Sequence, residues 1–382
     1  IKTSYSITVN VSDGTDNMSQ PLTINIKDFN EIWTQRGLDI DGEAAGDRSG
    51  NRIAISNNSN TVAVGAWRND SNGEDSGHVR IYDWNGNAWL QRGQEINGEA
   101  AGDHSGFVSM NSNGDTVAIG GPRNDGNGED SGHGRIYDWN IIAWQQRGAD
   151  IDGASAGSFL NLRAMSNDGN TVVTQERGPY QDDPDEMGRV RIYVWNGNVW
   201  TQQGLALDGK QTYDGWGSKV AISTDGKTVA IGARTVDLQV KGAGTWEGRV
   251  SVYRWNESAW VQRGLDLYGK VNFELIGGSL SLDDDGDTMV LGAQGPGFDG
   301  ANAVLARIYD WNGSSWVQRG LNIEADTVSN PDSKVSISSD GYTVAIGSRQ
   351  ENGNGVDSGH VRIYGWSGSA WVQRGLDLDG EA

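Results

Sequence analysis

The side chains most able to do chemistry here are carboxylates. The chain has 382 residues, with 51 Asp and Glu against 30 Lys and Arg, a net charge of −21. Many of the acids fall in Gly-bearing loops. Asp39, Asp41, Glu43 and Asp47 lie in one, and Asp70, Asn72, Glu74 and Asp75 in a second. Asp125, Asn127, Glu129 and Asp130 lie in a third. Hard cations take several oxygens from such side chains and from backbone carbonyls, and Gly permits the bend. Calcium is therefore the cofactor these loops point to. The spacing fits neither an EF-hand nor a nonapeptide calcium repeat. Oxygen-rich loops with Gly are also ordinary turns, and both readings stay open.

A second set places aromatics beside acids. It comprises Tyr180 with Asp182 and Asp183, Trp216, Trp246 with Glu247, and Phe298 with Asp299. Exposed rings next to carboxylates suit a sugar or a protein hot spot. Other chemistry is thin. There is no Cys, so thiolate catalysis, disulfides and Cys-zinc sites are excluded. The four His are His78, His104, His133 and His360, and three of them follow Ser-Gly. A catalytic residue is needed once, so this recurrence reads as structural. No Gly-x-Ser-x-Gly elbow, His-Glu-x-x-His or phosphate loop occurs. Spacing along the chain does not exclude a glycosidase-like pair of carboxylates. The acid surplus argues against nucleic acid and anionic lipid as partners. No window is apolar enough for a membrane-spanning helix, so direct membrane insertion is not expected.

A repeat must position these residues. Trp-x-Gln-Arg-Gly begins at Trp33, Trp89, Trp144, Trp260, Trp316 and Trp371, and Trp200 starts a seventh copy with Gln203 in place of Arg. The period is about 56 residues, a strong repeat signal. Each unit holds four short runs rich in β-branched and aromatic residues. In one unit these are residues 51–56, 61–66, 78–84 and 88–92. Asp-Gly and Asn-Gly pairs join the first two runs and supply the positive φ of tight hairpins. Trp-x-x-x-x-Trp joins the last two, so twelve of the sixteen Trp are expected in hairpin and inter-blade packing. The pattern predicts an all-β fold, a β-propeller of four-stranded blades, with a solenoid as the alternative. Six full repeats are visible and seven blades are favoured, the last closed by N-terminal strands or by residues beyond this chain. The acidic loops then gather on one face. The repeated Arg, such as Arg92 and Arg263, are expected in exposed ion pairs or as a ladder for another subunit.

The order Ser-Gly-x-x-Val-Ala-Ile-Ser, Thr-Val-Ala-Ile-Gly-Ala, Gly-His-Val-Arg-Ile-Tyr resembles the FG-GAP repeat of integrin-alpha-type propellers, in the version found in large secreted proteins of marine microbes. The resemblance covers about residues 33–382 and implies an extracellular binding or assembly module, often calcium-bearing. The family's calcium loop between the first two strands is missing, because residues 111–116 and 338–343 are too short for it. Residues 1–31 resemble the last strands of a cadherin-like domain, in which Asp28 and Asn30 match a calcium-holding Asp-x-Asn. The expected division is 1–31 as that segment or as strands of the closing blade, and 32–382 as the propeller. The expected function is a non-enzymatic extracellular module for adhesion or recognition, part of a longer surface protein, with a protein or glycan partner. The alternatives are a self-assembling subunit of a filament, sheath or viral appendage, and a carbohydrate-active enzyme.

Overall fold

The computed structural model describes residues 4–12, 17–25, 33–177, 187–211, 214–235, 246–270, 273–293, 304–325, 333–348, 355 and 358–380. Blade one is built from Arg52–Ile55, Thr61–Ala66, His78–Trp84 and Trp89–Gln91, paired antiparallel in that order. Five further sheets repeat this order, and no helix is present among the described residues. Their innermost strands are Phe107–Met110, Asn161–Met165, Trp216–Ile222, Ser279–Leu282 and Lys334–Ile337. These inner strands touch their neighbours in sequence around the axis. The result is a six-bladed β-propeller.

Each 1–2 hairpin closes in the same way. A side-chain oxygen accepts the backbone N–H five residues on, as from Thr61 to Ser56 Oγ and from Thr116 to Asn111 Oδ1, both 3.0 Å. The 3–4 hairpin brings its two Trp together as a tilted pair. The Trp84–Trp89 and Trp139–Trp144 centroids are 5.3 Å apart, and four more pairs lie at 5.3–5.6 Å. All twelve expected hairpin Trp are accounted for.

The repeated Arg and Gly tie one blade to the next. The Trp144 indole donates to the Arg92 carbonyl oxygen at 2.9 Å, and the Arg92 guanidinium lies 5.0 Å from the Trp139 ring. Arg92 also donates to the Gly114 carbonyl and to Asp115 in the next hairpin. Gly93 has φ +73°, and a Cβ there would stand 2.6 Å from the Trp139 ring, so only Gly fits. The expected pairing with neighbouring acids is met, by Asp115 for Arg92 and Asp287 for Arg263, with the guanidinium groups mostly buried and the carboxylates half-exposed.

Apolar cores fill the spaces between blades. Ala63, Val79 and Ile81 of blade one pack with Met110, Val117 and Ile119 of blade two, with Val108 against them. Equivalent clusters fill the next four spaces. The space between blades six and one has no such cluster among the described residues. Ile53 takes the place that Val108 holds, yet it is 68% exposed, and Ile55 is 57% exposed. Trp33 bridges this seam by donating to the Arg374 carbonyl at 3.3 Å.

The preference for seven blades is thus not met. The marker at Trp33 joins the outer ring, but residues 33–37 form no strand. Ser4–Ser12 and Asn17–Asn25 pair as a separate two-stranded sheet. Asp28 and Asn30 lie outside the described residues.

Candidate functional site

The innermost strands carry one position in common register. Arg52 lies opposite Gly65, Phe107 opposite Gly120, Lys219 opposite Gly232, Ser279 opposite Gly292 and Lys334 opposite Gly347. In blade three a bulge between Leu162 and Ala164 leaves Arg163 out of the ladder. Such a bulge re-aims a side chain. Arg163 donates to Gln175 Oε1 at 2.6 Å, and Gln175 stands where the other blades have that Gly. Most of the opposing Gly are needed for space, Gly347 excepted. A Cβ on Gly65 would stand 1.9 Å from the Gly106 carbonyl oxygen, and one on Gly232 1.9 Å from that of Gly277.

Three of the six blades therefore put a cation at this register, and Arg163, bulged two residues from Asn161, which holds the register in blade three, reaches the same Phe107 ring as Arg52. The Arg52 and Arg163 guanidinium carbons lie 4.9 and 5.7 Å from the same Phe107 ring, one cation–π platform for two blades. The Arg163 Nε is buried without a hydrogen-bond partner. Lys219 is reached by water and yet surrounded by protein, as befits a side chain inside a channel. That surrounding, together with Arg52, Arg163 and Lys334, lowers its ammonium to about 8. Burial and the cations Arg177 and Arg52 lower Arg163 in the same direction. In a chain of net charge −21, this is a local concentration of positive charge. It can hold carboxylate or phosphate oxygens.

The residues singled out from the sequence are placed differently. Asp47 is buried and accepts the Ala44 N–H and the Asn69 amide. Asp70 and Asp125 accept the N–H groups of Asp75 and Asp130, which both have positive φ. Asn72 and Asn127 donate to the Gly98 and Gly153 carbonyls. The Glu74 and Glu129 carbonyls accept from Gly102 and Gly157. Asp39 accepts from Gln35, and the Asp41 carbonyl accepts from Arg80. These loops therefore spend many oxygens on holding one blade to the next. Glu43 alone of this set joins a compact group with His, beside His78 and Glu95.

Trp216 was expected on a ligand surface and is corrected here. It is 1% exposed, its indole donates to the Leu207 carbonyl, and the Arg249 guanidinium covers its ring. Glu247 is buried as well. Trp246 is 45% exposed, with its ring 5.7 Å from that of Phe273. Tyr180, Asp182, Asp183, Phe298 and Asp299 lie outside the described residues.

Sequence reading passed over the channel cations. A signal existed: Arg52, Lys219 and Lys334 each stand four residues before the Ser that closes the hairpin, at Ser56, Ser223 and Ser338.

Three solved propellers show how the architecture is used elsewhere. A putative 6-phosphogluconolactonase from Bacteroides uniformis is 11% identical, with a TM-score of 0.57 over 100% of this chain and 98% of that one. A second, from Bacteroides fragilis, is 10% identical, with a TM-score of 0.56 over 99% and 96%. The periplasmic gluconolactonase of Pseudomonas aeruginosa is 12% identical, with a TM-score of 0.54 over 99% and 98%. At such identity the likeness is one of fold. It overturns the inference from architecture to a non-enzymatic adhesion or recognition module, because propellers named as lactonases share this build over nearly their whole length. The filament reading falls with it, since it drew on the same architecture. No curated protein matches the sequence. Residues 38–82 match the FG-GAP repeat, and the unit they span is the first blade of a six-bladed propeller.

Proposed function

We propose that this protein binds a small polyanion, bearing carboxylate or phosphate groups, in its central channel. The observation behind this reading is the single layer formed by Arg52, Arg163, Lys219 and Lys334. Arg52 and Arg163 share one aromatic face, and the charges acting on Lys219 are all positive. An anion would relieve the repulsion among these cations, and in a site walled by protein the attraction is screened less than at a surface. The guanidinium groups supply paired donors and Lys219 a point charge. The FG-GAP match favours an extracellular setting for this binding.

A second reading is hydrolysis of an anionic sugar lactone. One observation favours it. An ammonium lowered to about 8 is partly neutral near physiological pH, and a neutral amine can take a proton from water.

Titration calorimetry with inorganic phosphate, citrate and 6-phosphogluconate tests the first reading. Binding that Lys219→Met and Arg163→Met weaken by about tenfold or more, and that weakens with salt, is the expected result. Affinity unchanged in both variants removes the channel as the site. Acid release from 6-phosphogluconolactone, followed in wild type and Lys219→Met, tests the second reading. Equal rates in the two proteins would remove it.

A further inference from the structure

We infer that the spaces beside blades one and two hold divalent transition-metal ions of the zinc class, on Glu43–His78–Glu95 and on Glu99–His133–Asp150. In each group the three ligand atoms lie within 4.8 Å of one another. Nothing in this inference depends on the channel.

The first observation is the state of the imidazoles. His78 is 1% exposed and His133 is fully buried. The Nδ1 atoms of both, and Nε2 of His133, have no hydrogen-bond partner. A buried polar atom left unpaired costs about 1–3 kcal/mol, so it calls for a partner. Carboxylates flank these nitrogens: Asp150 Oδ2 is near enough to His133 Nδ1 to accept from it when that nitrogen is protonated, and the Glu carboxylates stand farther off. His78 Nδ1 is 3.9 Å from Glu43 Oε2, and His133 Nδ1 is 3.7 Å from Glu99 Oε2 and 3.2 Å from Asp150 Oδ2. A lone pair on a buried imidazole facing two carboxylates is a donor set for zinc-like ions. Calcium prefers an all-oxygen shell.

The second observation comes from the other blades, which act as internal controls. In blade four the His position holds Arg249, and Lys210 stands where Glu43 and Glu99 stand. Arg249 reaches Asp214 at 2.9 Å, and Lys210 reaches Asp266 at 2.7 Å. That blade supplies its own cations. In blade three Arg189 takes the His position and bonds Asp208 at 2.5 Å, with Ala154 in place of the Glu. In blade five Leu305 takes it, with Asn322 in place of the acid. The paired acids of blades one and two go with His. Blade six retains the chemistry as His360, Asp377 and Asp379.

Glu43, Glu95, Asp47 and Arg80 act on His78. Arg80 lies 3.6 Å from Glu43, and Arg135 lies 3.4 Å from Glu99. Each Arg offsets one carboxylate, and the second carboxylate and the imidazole remain for the ion.

The test uses the full chain, with Co2+ for its visible absorption and Zn2+ for calorimetry. Wild type should bind Zn2+ at both sites, with tetrahedral-type Co2+ absorption that Zn2+ abolishes and Ca2+ does not. His78→Gln and His133→Gln should each remove one of the two sites. Should either variant fail to fold, the pair Glu95→Gln and Asp150→Asn keeps both imidazoles and changes only the half-exposed ligands. It should weaken binding by more than about tenfold, with melting in chelator unchanged. Absence of Zn2+ binding in wild type overturns the inference. So does binding that survives all these substitutions, which would place the ion on His360, Asp377 and Asp379 of blade six or on the acidic loops.

Discussion

At the outer wall, Trp89, Trp144, Trp200, Trp260, Trp316 and Trp371 each donate an indole N–H to the preceding copy's Arg or Gln carbonyl, at 2.9–3.0 Å. At the channel layer, the equivalent positions hold Arg52, Phe107, Asn161, Lys219, Ser279 and Lys334, with Arg163 bulged out beside Asn161. The same six units supply both regions. The wall repeats because every blade must make the same bond to its neighbour. The layer varies because its side chains project into a shared space where no blade needs them for packing. Repetition marks scaffold in this molecule, and departure from the repeat marks a place free to specialise.

The comparison can be attacked first at the wall. Trp144→Ala removes a stacked ring, its indole hydrogen bond and the platform under Arg92. A loss of about 3 kcal/mol or more is expected from the denaturant midpoint. A loss below about 1 kcal/mol would break the claim that the repeated Trp carry the ring.

A smaller effect is expected where the wall departs from its own rule. The hairpin-closing position is Ser or Asn in the other blades and Asp283 in blade five. Burial, and after it Asp285, raises Asp283 to about 6. A raised carboxyl makes the folded state bind more protons than the unfolded state between about pH 4 and 6. Stability from this group is therefore present below that window and lost as pH rises through 6. Asp283→Asn keeps an acceptor for the Thr288 N–H, as Asn111 does for Thr116, and drops the charge. It should stabilise by about 0.5–2 kcal/mol at pH 7 and flatten the profile between pH 4 and 6. Destabilisation at neutral pH would sink the argument.

Lys219→Met should change stability less and ligand binding more. The lowered ammonium means that the unfolded chain binds more protons between about pH 8 and 10.5, so wild type gains stability as pH rises through that window. The variant should lose this slope, and a thermal melt series across the window reads it directly. Equal slopes would break the picture of a strained cationic layer.

The smallest effect is expected from calcium. Asp47, Asp70 and Asp125 already serve backbone or amide N–H groups, so calcium against chelator should move the melt by about a degree or less. A shift of several degrees would restore the acidic loops as cation sites.

Much of the wall was legible in the sequence. Period-two runs bounded by Asp-Gly and Trp-Asn-Gly placed strands such as Thr61–Ala66 and His78–Trp84 within a residue. The twelve hairpin Trp were readable for the same local reason. Blade number was not, because closure depends on how distant faces meet and not on any one unit. Trp216 was misplaced because its neighbours Tyr213 and Asp214 read as loop, whereas Arg249 and the Leu207 carbonyl, far along the chain, draw it inside. The histidines looked structural because they recur. Glu43, His78 and Glu95 come from three separate segments, and only the fold brings them together.

The bond from Trp33 to the Arg374 carbonyl also sets an order of events during synthesis. Six indoles reach back to a carbonyl made one unit earlier, whereas Trp33 must wait for an acceptor 341 residues downstream. At roughly 5–20 residues per second, that wait is about 17–70 s. Through all of it the first blade lacks this tie, and Ile53 and Ile55 form an apolar edge that stays exposed in the finished ring as well. The ring can therefore be assembled blade by blade, but it becomes a ring only when its last turn has left the ribosome.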